Sequence, residues 1–409
     1  MRKKPELLMP AGNLRILKTA FIYGADAVYI GGEMFSLRAS ADNFSLEEMK
    51  EGVEFAHARG KKVYVTANIT AHNADMKEVA GYFTELQNVR PDALIISDPG
   101  VMMMAKKYCP EIEIHVSTQA NNVNAETFKF WHGIGATRVV SARELSIKEI
   151  KEIRAEIPDE LEIETFVHGA MCISHSGRCL LSHYFTGRDA NLGACTHPCR
   201  WKYYVMEEKR PGEYLPVFEN ERGTYIFNSR DLCMIEYIPE LVDAGIDSFK
   251  VEGRMKTALY VATVARAYRQ AIDDYFESLE KYESRKAEYA EEVSKCTYRR
   301  FTTAFFFGFT SEETQVYDHN TYIKDYVYLG QIQGKNEKGL YAIEQKNKFS
   351  VGDEVEIMHP DGTNETRKVL AMEDENGVPM ENCPHPKQKI YLDIGCELSD
   401  YDMLRKKEA

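Results

Sequence analysis

The sequence predicts an α/β protein: a TIM-like (β/α)8 barrel with a cysteine-rich insertion after strand seven, followed by a small C-terminal all-β barrel domain. Short apolar, β-branched segments alternate with helical patterns over the first 275 residues, which indicates a parallel sheet. Eight such segments are present, and eight repeats favour a closed barrel over an open doubly wound sheet, the alternative fold. A chain of 409 residues has room for a barrel and a second domain.

The eight predicted barrel strands cover residues 6–12, 27–32, 62–68, 93–98, 112–121, 137–145, 162–169 and 247–253. Helices are predicted between them, including 13–23, 45–59, 75–87 and 146–157. Ser45 is a predicted N-cap, because Glu48 three residues later completes a capping box. The first seven strands begin about 20 to 35 residues apart, but about 85 residues separate the starts of strands seven and eight. The extra residues follow the carboxyl end of strand seven, where barrel enzymes place their active sites.

The predicted boundaries give a barrel domain at 1–275 with the cysteine-rich insertion at about 170–225, a connector at 276–325 and a β domain at 326–409. The connector begins with a highly charged helix, 276–296, which is predicted to be solvated, and continues into an aromatic extended segment, 299–309. Five strands are predicted in the last domain, at 326–332, 339–345, 353–358, 367–372 and 389–394. Because this domain is acidic, docking against the barrel is favoured over RNA binding.

The chain is acidic overall but contains one basic and aromatic segment. The net charge of −13 argues against nonspecific nucleic-acid binding. Residues 171–206 nevertheless contain four basic residues, one acidic residue and five aromatic residues: Arg178, Arg188, Arg200, Lys202, Asp189, Tyr184, Phe185, Trp201, Tyr203 and Tyr204. This segment is either a loop that merely contains arginines or a surface for an anionic ligand or an RNA base.

The apolar segments of the sequence predict where in the cell the protein is located. The sequence has no apolar run of about 18 residues, so we expect no membrane span. Its N-terminus lacks the apolar region of a secretory signal, so we expect a cytoplasmic protein whose cysteines stay reduced.

Four of the nine cysteines fall within 28 residues, at Cys172, Cys179, Cys195 and Cys199. Their spacing, C-x6-C, fifteen residues and C-x3-C, lacks the paired knuckles of a zinc finger and favours a 4Fe–4S cluster. The alternatives are zinc bound by a mixture of these cysteines with His175, His183 or His197, or four thiols buried independently. Cys233 is a candidate to replace Cys199 as a ligand.

Polar residues at the predicted carboxyl ends of the strands are candidates for the site; about half are expected to form only a structural network at the rim. They are Arg38, Asn68, Asp98, His115, Gln119, Asn121, Arg143, His168, Asn228, Arg230, Asp231, Lys250, Glu252 and Arg254. Strand alternation predicts that Lys250, Glu252 and Arg254 share one face. Two cations there suit a substrate with carboxylates or phosphates, and Glu252 is either their ion-pair partner or a base.

Residues 164–182, from Glu164 through Cys172 and Cys179 to Ser182, closely resemble the signature of the collagenase-like peptidase family U-32. The segments ELLMPAGN, GADAVYIGG, NSRDL and FKVEGRMK are also similar to that family, and the resemblance covers essentially the whole chain. The segment GACTHPCRW, 193–201, resembles the branch of the family that hydroxylates tRNA.

The resemblance implies an oxygen-independent hydroxylase that carries a 4Fe–4S cluster on Cys172, Cys179, Cys195 and Cys199. It further implies that the substrate is the wobble uridine of tRNA, which becomes 5-hydroxyuridine, with prephenate as the hydroxyl source. Because prephenate is a dicarboxylate, we infer that cationic side chains bind it. The residues predicted for substrate binding are Arg230, Lys250, Arg254, Arg38, Asn68 and Gln119, and those predicted for catalysis are Glu252 and His168.

Two other functions remain open from the sequence. The family name implies a peptidase that acts on collagen-like or other extended peptides, although the chain has no G-x-S-x-G or H-E-x-x-H motif. The third hypothesis is a noncatalytic assembly factor in which the cluster is structural and the β domain binds a partner. A stable co-purifying partner, with no turnover under anaerobic reducing conditions, would favour this assembly factor over the hydroxylase.

Overall fold

The computed structural model describes residues 3–33, 43–172, 174–176, 178–192, 194–200, 205–206, 214–215, 219–220, 223–224, 230–308, 322–385 and 387–408. Eight parallel strands form a closed barrel, which confirms the predicted fold class. They are β1 Glu6–Pro10, β2 Ala27–Gly31, β3 Lys62–Ala67, β4 Ala93–Ile96, β5 Glu113–Val116, β6 Arg138–Val140, β7 Glu162–Ala170 and β13 Ser248–Val251. Phe249 on β13 pairs with both Leu7 on β1 and Thr165 on β7, and these pairings close the barrel.

Helices cover the outside of the barrel, because the outward side chains of the strands are apolar and need a second apolar layer. They are α1 Leu14–Ile22, α2 Leu46–His57, α3 Met76–Val89, α4 Pro99–Tyr108, α5 Ala125–Gly133, α6 Ile147–Glu156, α8 Ile238–Asp243 and α9 Ala258–Glu277. The predicted capping box of α2 is present: Ser45 Oγ accepts from the Glu48 N–H at 3.2 Å, and Glu48 Oε2 accepts from the Ser45 N–H at 3.1 Å. None of the helices in these described ranges is long and apolar enough to span a membrane.

The insertion between β7 and β13 carries the four clustered cysteines and several short elements. These are helix α7 Leu181–Thr186 and strands β8 Val205–Met206, β9 Tyr214–Leu215, β10 Glu219–Asn220, β11 Gly223–Thr224 and β12 Asp231–Cys233. Strand β12 lies antiparallel beside β7, and β14 Phe301–Thr302 lies parallel to β12. The aromatic segment predicted to be extended therefore adds a strand next to the insertion.

The C-terminal domain is one antiparallel sheet in the order β18-β17-β21-β15-β16-β20-β19. Its strands are β15 Tyr326–Lys335, β16 Tyr341–Glu344, β17 Glu354–Met358, β18 Asn364–Lys368, β19 Ala371–Asp374, β20 Lys389–Asp393 and β21 Met403–Lys407. The segment predicted as one strand at 367–372 contains the end of β18 and the start of β19. Strand β21 was not predicted, because its basic half, Arg405–Lys407, hides the apolar signal of Met403 and Leu404.

The C-terminal domain packs on helices α1, α9 and α10 Leu279–Ser294. Arg405 is fully buried, contacts Glu356 and lies 2.9 Å from Glu292 on α10. Arg266 on α9 reaches the same Glu292 at 2.7 Å. The helix α10, predicted to be solvated, buries Tyr282 and thus has one face in the interior. Its many charges hide that face in the sequence.

Candidate active site

The lower part of the barrel interior holds a network of buried charges. Arg138 lies 2.6 Å from Glu6 and 3.1 Å from Glu164, and Lys250 donates to Glu164 at 2.5 Å. Tyr64 donates to Glu6 at 2.6 Å. Lys250 is among the predicted site residues, but its partners are not, because Glu6 and Glu164 lie at or near the start of their strands rather than at the end.

This network fixes the charge state of Glu164. The carboxylate is completely buried, which alone would raise its pKa, but Lys250 and Arg138 outweigh burial and lower the pKa. The ammonium of Lys250 also lies 4.5 Å from the centre of the Tyr29 ring and 5.4 Å from that of Phe166. The structure therefore places Lys250 inside the barrel with its charge already bound by a carboxylate.

The segment after β13 does not follow simple strand alternation. The strand ends at Val251, and Gly253 has φ +153°, so Glu252 and Arg254 do not continue it. Arg254 is buried and donates to Thr66 Oγ1 at 3.0 Å. The backbone N–H of Glu252 donates to His168 O at 2.8 Å, which joins the ends of β13 and β7. Lys250 and Arg254 thus contact different barrel strands, β7 and β3.

Glycine is required where β7 ends. Gly169 has φ +110°, and a Cβ there would lie 2.6 Å from Glu252 O. This close approach lets the loop that carries Cys172 leave the barrel directly beside the end of β13.

The loops after β3 and β5 bring several amides together around Ser117. Asn68 donates to Ser117 Oγ at 3.2 Å, and the N–H of Gln119 donates to the same oxygen at 3.3 Å. Asn121 Nδ2 donates to Gln119 O at 2.9 Å. The side-chain oxygens of Asn68, Gln119 and Asn121 are buried without a hydrogen-bond partner among the described residues. Two predicted binding residues, Asn68 and Gln119, therefore lie close together at the rim.

His168 lies on the opposite side of β7 from the barrel interior. Its ring is buried against Tyr268 and Phe301, with both ring centroids at 5.5 Å. Burial lowers the pKa of His168 to about 4, so the imidazole is neutral near pH 7. Cys233 pairs with His168 on the adjacent strand, and burial raises the pKa of this thiol to about 12. The structure separates His168 from Lys250 and Arg254, and its catalytic role stays a prediction.

The four clustered cysteines lie on the insertion next to the barrel mouth. Cys172 is exposed, whereas Cys179, Cys195 and Cys199 are half-buried. Arg143, in the loop after β6, donates to Ala170 O at 2.8 Å, and its other terminal nitrogen lies 3.9 Å from Cys172 Sγ. The guanidinium also lies 4.8 Å from the centre of the Phe166 ring inside the barrel. Arg143 therefore connects the barrel interior to the first cysteine.

The donor chemistry of these cysteines fits an iron–sulfur cluster or zinc. None of the nine cysteines, all of which lie in the described residues, forms a disulfide. The backbone N–H of His197 donates to Cys195 Sγ at 3.4 Å, a contact that favours a thiolate. Within the residues the structure describes, no group of three or more His, Cys, Asp or Glu side chains is arranged so that it could hold a metal ion. The ligand set thus stays a prediction.

The other predicted site residues differ in their exposure, and two of them lie outside the described residues. Arg230, just before β12, is half-buried, and its Nε has no hydrogen-bond partner in the described part of the chain. Arg38 and Asn228 lie outside the described residues. Of the basic and aromatic segment, Tyr184 on α7 is 81% exposed, and the adjacent Phe185 is 45% exposed with its ring centre 5.1 Å away. These rings form an exposed aromatic surface beside the cysteines.

Comparison with known proteins gives matches along nearly the whole chain. The model of peptidase family U32 matches residues 12–316, and the model of that family's C-terminal domain matches residues 324–405. The tRNA hydroxylation protein P1 of Bacillus subtilis (strain 168) is 40% identical over 405 residues, which cover 99% of this chain and 95% of that protein.

Two relatives from Escherichia coli (strain K12) extend this comparison. The tRNA hydroxylation protein P is 40% identical over 444 aligned positions, which cover 98% of this chain and 97% of that protein. A 23S rRNA 5-hydroxycytidine synthase is 38% identical over 272 residues, which cover 66% of this chain and 40% of that protein.

Proposed function

Because this chain belongs to peptidase family U32, we propose that it is an RNA-modifying hydroxylase that converts the wobble uridine of tRNA to 5-hydroxyuridine without O2. The observation that carries this proposal is the 40% identity, over nearly the full length, to proteins named for tRNA hydroxylation. The relative named for 5-hydroxycytidine in rRNA supports the same reaction class, since its name also describes hydroxylation of a pyrimidine in RNA.

Local chemistry at the barrel mouth supports an RNA substrate despite the acidic net charge. Tyr184 and Phe185 offer exposed ring faces on which unpaired bases can stack. Arg178 and Arg188 lie on the same insertion and can contact phosphates. An enzyme with this arrangement binds RNA through one local surface and not through its overall charge.

We further propose that Cys172, Cys179, Cys195 and Cys199 hold a 4Fe–4S cluster, with zinc as the alternative metal. When bound, a 4Fe–4S cluster supplies electron-transfer chemistry. Arg143 holds a positive charge near Cys172 Sγ, and the N–H of His197 donates to Cys195 Sγ. Both contacts stabilise negative charge on sulfur, which is the form that binds metal.

The proposed reaction needs a hydroxyl donor. Replacing C5–H of uridine by C5–OH oxidises the base by two electrons, so a donor R–OH that leaves as R–H balances the exchange without O2. Prephenate, a dicarboxylate with a hydroxyl group, is the proposed donor. Arg254 and Arg230 are the proposed partners of its carboxylates, because charge-assisted pairs orient such groups. Lys250 is bound to Glu164 inside the barrel, so we propose no direct contact between Lys250 and the donor.

Glu252 is the proposed base, and His168 is proposed to position it. The backbone N–H of Glu252 donates to the backbone carbonyl of His168, and this bond holds the main chain of Glu252 in place beside the end of β7. The neutral, enclosed imidazole of His168 is suited to holding the end of β7 and not to proton transfer with the substrate.

The proposal is tested on protein purified without oxygen. Iron, acid-labile sulfide and zinc are measured first, and the protein is then incubated under reducing conditions with prephenate and tRNA that lacks the modification. We expect about four irons and four sulfides per chain, and 5-hydroxyuridine in the tRNA digest by mass spectrometry. The Cys172→Ser and Cys195→Ser variants should lose both metal and product.

The matched control is Cys396→Ser, a half-buried cysteine of the C-terminal domain, which should keep iron and activity. Roughly one zinc per chain, or unmodified tRNA from iron-loaded protein with every co-substrate present, contradicts the proposal. Cleavage of peptides by the same preparation, retained in Cys172→Ser, would instead favour the peptidase.

A further inference from the structure

An open pocket of about 540 Å³ lies beside the barrel mouth. Asn121 and Val123, in the loop after β5, form one wall, and Ser174, His175 and Arg178, in the loop after β7, form the other. The second loop is also the one that carries Cys172 and Cys179. The pocket has the volume of a small-molecule site, about 300–1,000 Å³.

Among the residues that the structure describes, two polar atoms of the pocket-lining side chains lack hydrogen-bond partners. Asn121 Nδ2 donates to the backbone carbonyl of Gln119, and a carbonyl only accepts, so this bond fixes the amide orientation and leaves Oδ1 as an acceptor. Asn121 Oδ1 and Ser174 Oγ are both buried without a hydrogen-bond partner among the described residues. Buried polar atoms almost always have partners, so a ligand or ordered water belongs next to them.

Both walls are anchored to the barrel rim. Asn121 ends the 3-10 helix Thr118–Ala120 in the left-handed conformation, φ 56°, which Asn tolerates better than most residues. On the opposite wall, Arg143 donates to Ser176 Oγ at 3.0 Å, and His175 Nδ1 lies 3.4 Å from Glu144 Oε2. The two walls are therefore anchored in the loops that follow β5 and β6.

The remaining lining groups suit a nucleotide. Arg178 is exposed, and its guanidinium makes no ion pair within the part of the chain that the structure describes. Guanidinium groups bind phosphate well. Val123 is 41% exposed, and His175 offers a planar ring, so the walls also present surfaces on which a base can pack.

We propose that this pocket binds one unstacked nucleotide of the RNA substrate, with the base edge at Asn121 and Ser174 and the phosphate at Arg178. This inference rests on the proposed function, since it requires an RNA substrate. In uracil, N3–H donates to Asn121 Oδ1, and the adjacent carbonyl oxygen accepts from the Ser174 hydroxyl. Both unpartnered atoms then have partners, next to the loop that carries the proposed metal ligands.

The test compares two fluorescein-labelled anticodon stem-loops by anisotropy, one with uridine at the wobble position and one with an abasic site there. Full-length wild-type protein should bind the uridine RNA about tenfold more tightly, as expected for one bound base. Asn121→Gly, which keeps the left-handed backbone, and Ser174→Ala should each reduce that preference and leave abasic RNA binding unchanged.

Arg178→Gln should weaken binding of both RNAs and lower the salt dependence by about one charge. Its control is Lys148→Gln on α6, whose side chain is 86% exposed and which also removes one cation. Lys148→Gln should leave both affinities near those of wild type. Circular dichroism spectra and melting temperatures verify that each variant is folded.

Failure of the inference differs from failure of the proposed function. If folded wild-type protein binds neither stem-loop, the tRNA function fails and this inference fails with it. If it binds RNA, but Asn121→Gly and Ser174→Ala weaken both RNAs equally or neither, the pocket is not the nucleotide site although the tRNA function stands. If these variants instead weaken prephenate binding measured by calorimetry, the pocket holds the dicarboxylate and the nucleotide assignment is overturned.

Discussion

Replacing Lys250 by Met tests whether the charge of this lysine is bound inside the barrel. The side chains of Lys250 and Glu164 are 5% and 0% exposed, and their charged atoms lie 2.5 Å apart. Removing one partner of such a pair leaves a buried carboxylate and typically lowers the free energy of unfolding by about 3–5 kcal/mol. Arg138 still contacts Glu164 at 3.1 Å, so we expect the lower end, about 3 kcal/mol. Methionine keeps most of the packing against Tyr29 and Phe166.

The assay is urea unfolding at pH 7, with Glu164→Gln and the double variant completing a mutant cycle. The double variant should be less destabilised than the sum of the two single variants, because each single change leaves the other charge without this partner. Lys148→Met is the control, and an exposed substitution of this kind should change stability by less than about 0.5 kcal/mol. A loss below about 1 kcal/mol for Lys250→Met would refute the reasoning and return Lys250 to the substrate-binding residues.

Three further predictions concern other parts of the molecule. Burial alone would raise the pKa of Glu292, but Arg405 and Arg266 lower it to about 2, so its contribution is present above pH 4.5 and is lost as the pH falls towards 2. Glu292→Gln should therefore destabilise the protein at neutral pH by about 3 kcal/mol in urea unfolding, and the difference from wild type should shrink between pH 4.5 and 2; a constant difference contradicts this. Ser45→Ala removes the cap of α2 and should lower the free energy of unfolding by about 1 kcal/mol, whereas no change would show that the cap is replaced. Tyr184→Ala removes an exposed ring and should weaken anticodon stem-loop binding about tenfold with an unchanged melting temperature; equal affinity would exclude this surface from RNA contact.

The barrel was predictable because its strands and helices are encoded locally. Each strand is a short apolar run, and each early helix has its own start signal, such as Ser45 with Glu48. These patterns depend on neighbours within a few residues, so they survive without any knowledge of the tertiary fold. Where local signals conflicted, prediction failed: the charged surface of α10 concealed its buried tyrosines, and the basic half of β21 concealed a strand.

For parts of the candidate site, the sequence predicts where a residue lies but not which residues it contacts. Lys250 lies on the last barrel strand and Arg254 three residues after its end, but the shared face that alternation predicted is not kept, because the strand ends at Val251. Their partners, Glu164 and Thr66, come from strands that are distant in sequence. Asn121 was one of many polar residues in the sequence, and it is the structure that shows its buried oxygen without a partner among the described residues and its place in the wall of a pocket.

The order of the barrel elements, the closed barrel and the insertion after strand seven could all be predicted from the sequence, since they follow from local periodicity and spacing along the chain. Which charges are available to a ligand depends instead on the tertiary structure. Whether Lys250 faces a substrate or a carboxylate, and whether His168 lies inside or outside the barrel, depends on pairings between strands far apart in the chain. Such pairings are fixed by closure of the barrel and leave no local signal in the sequence.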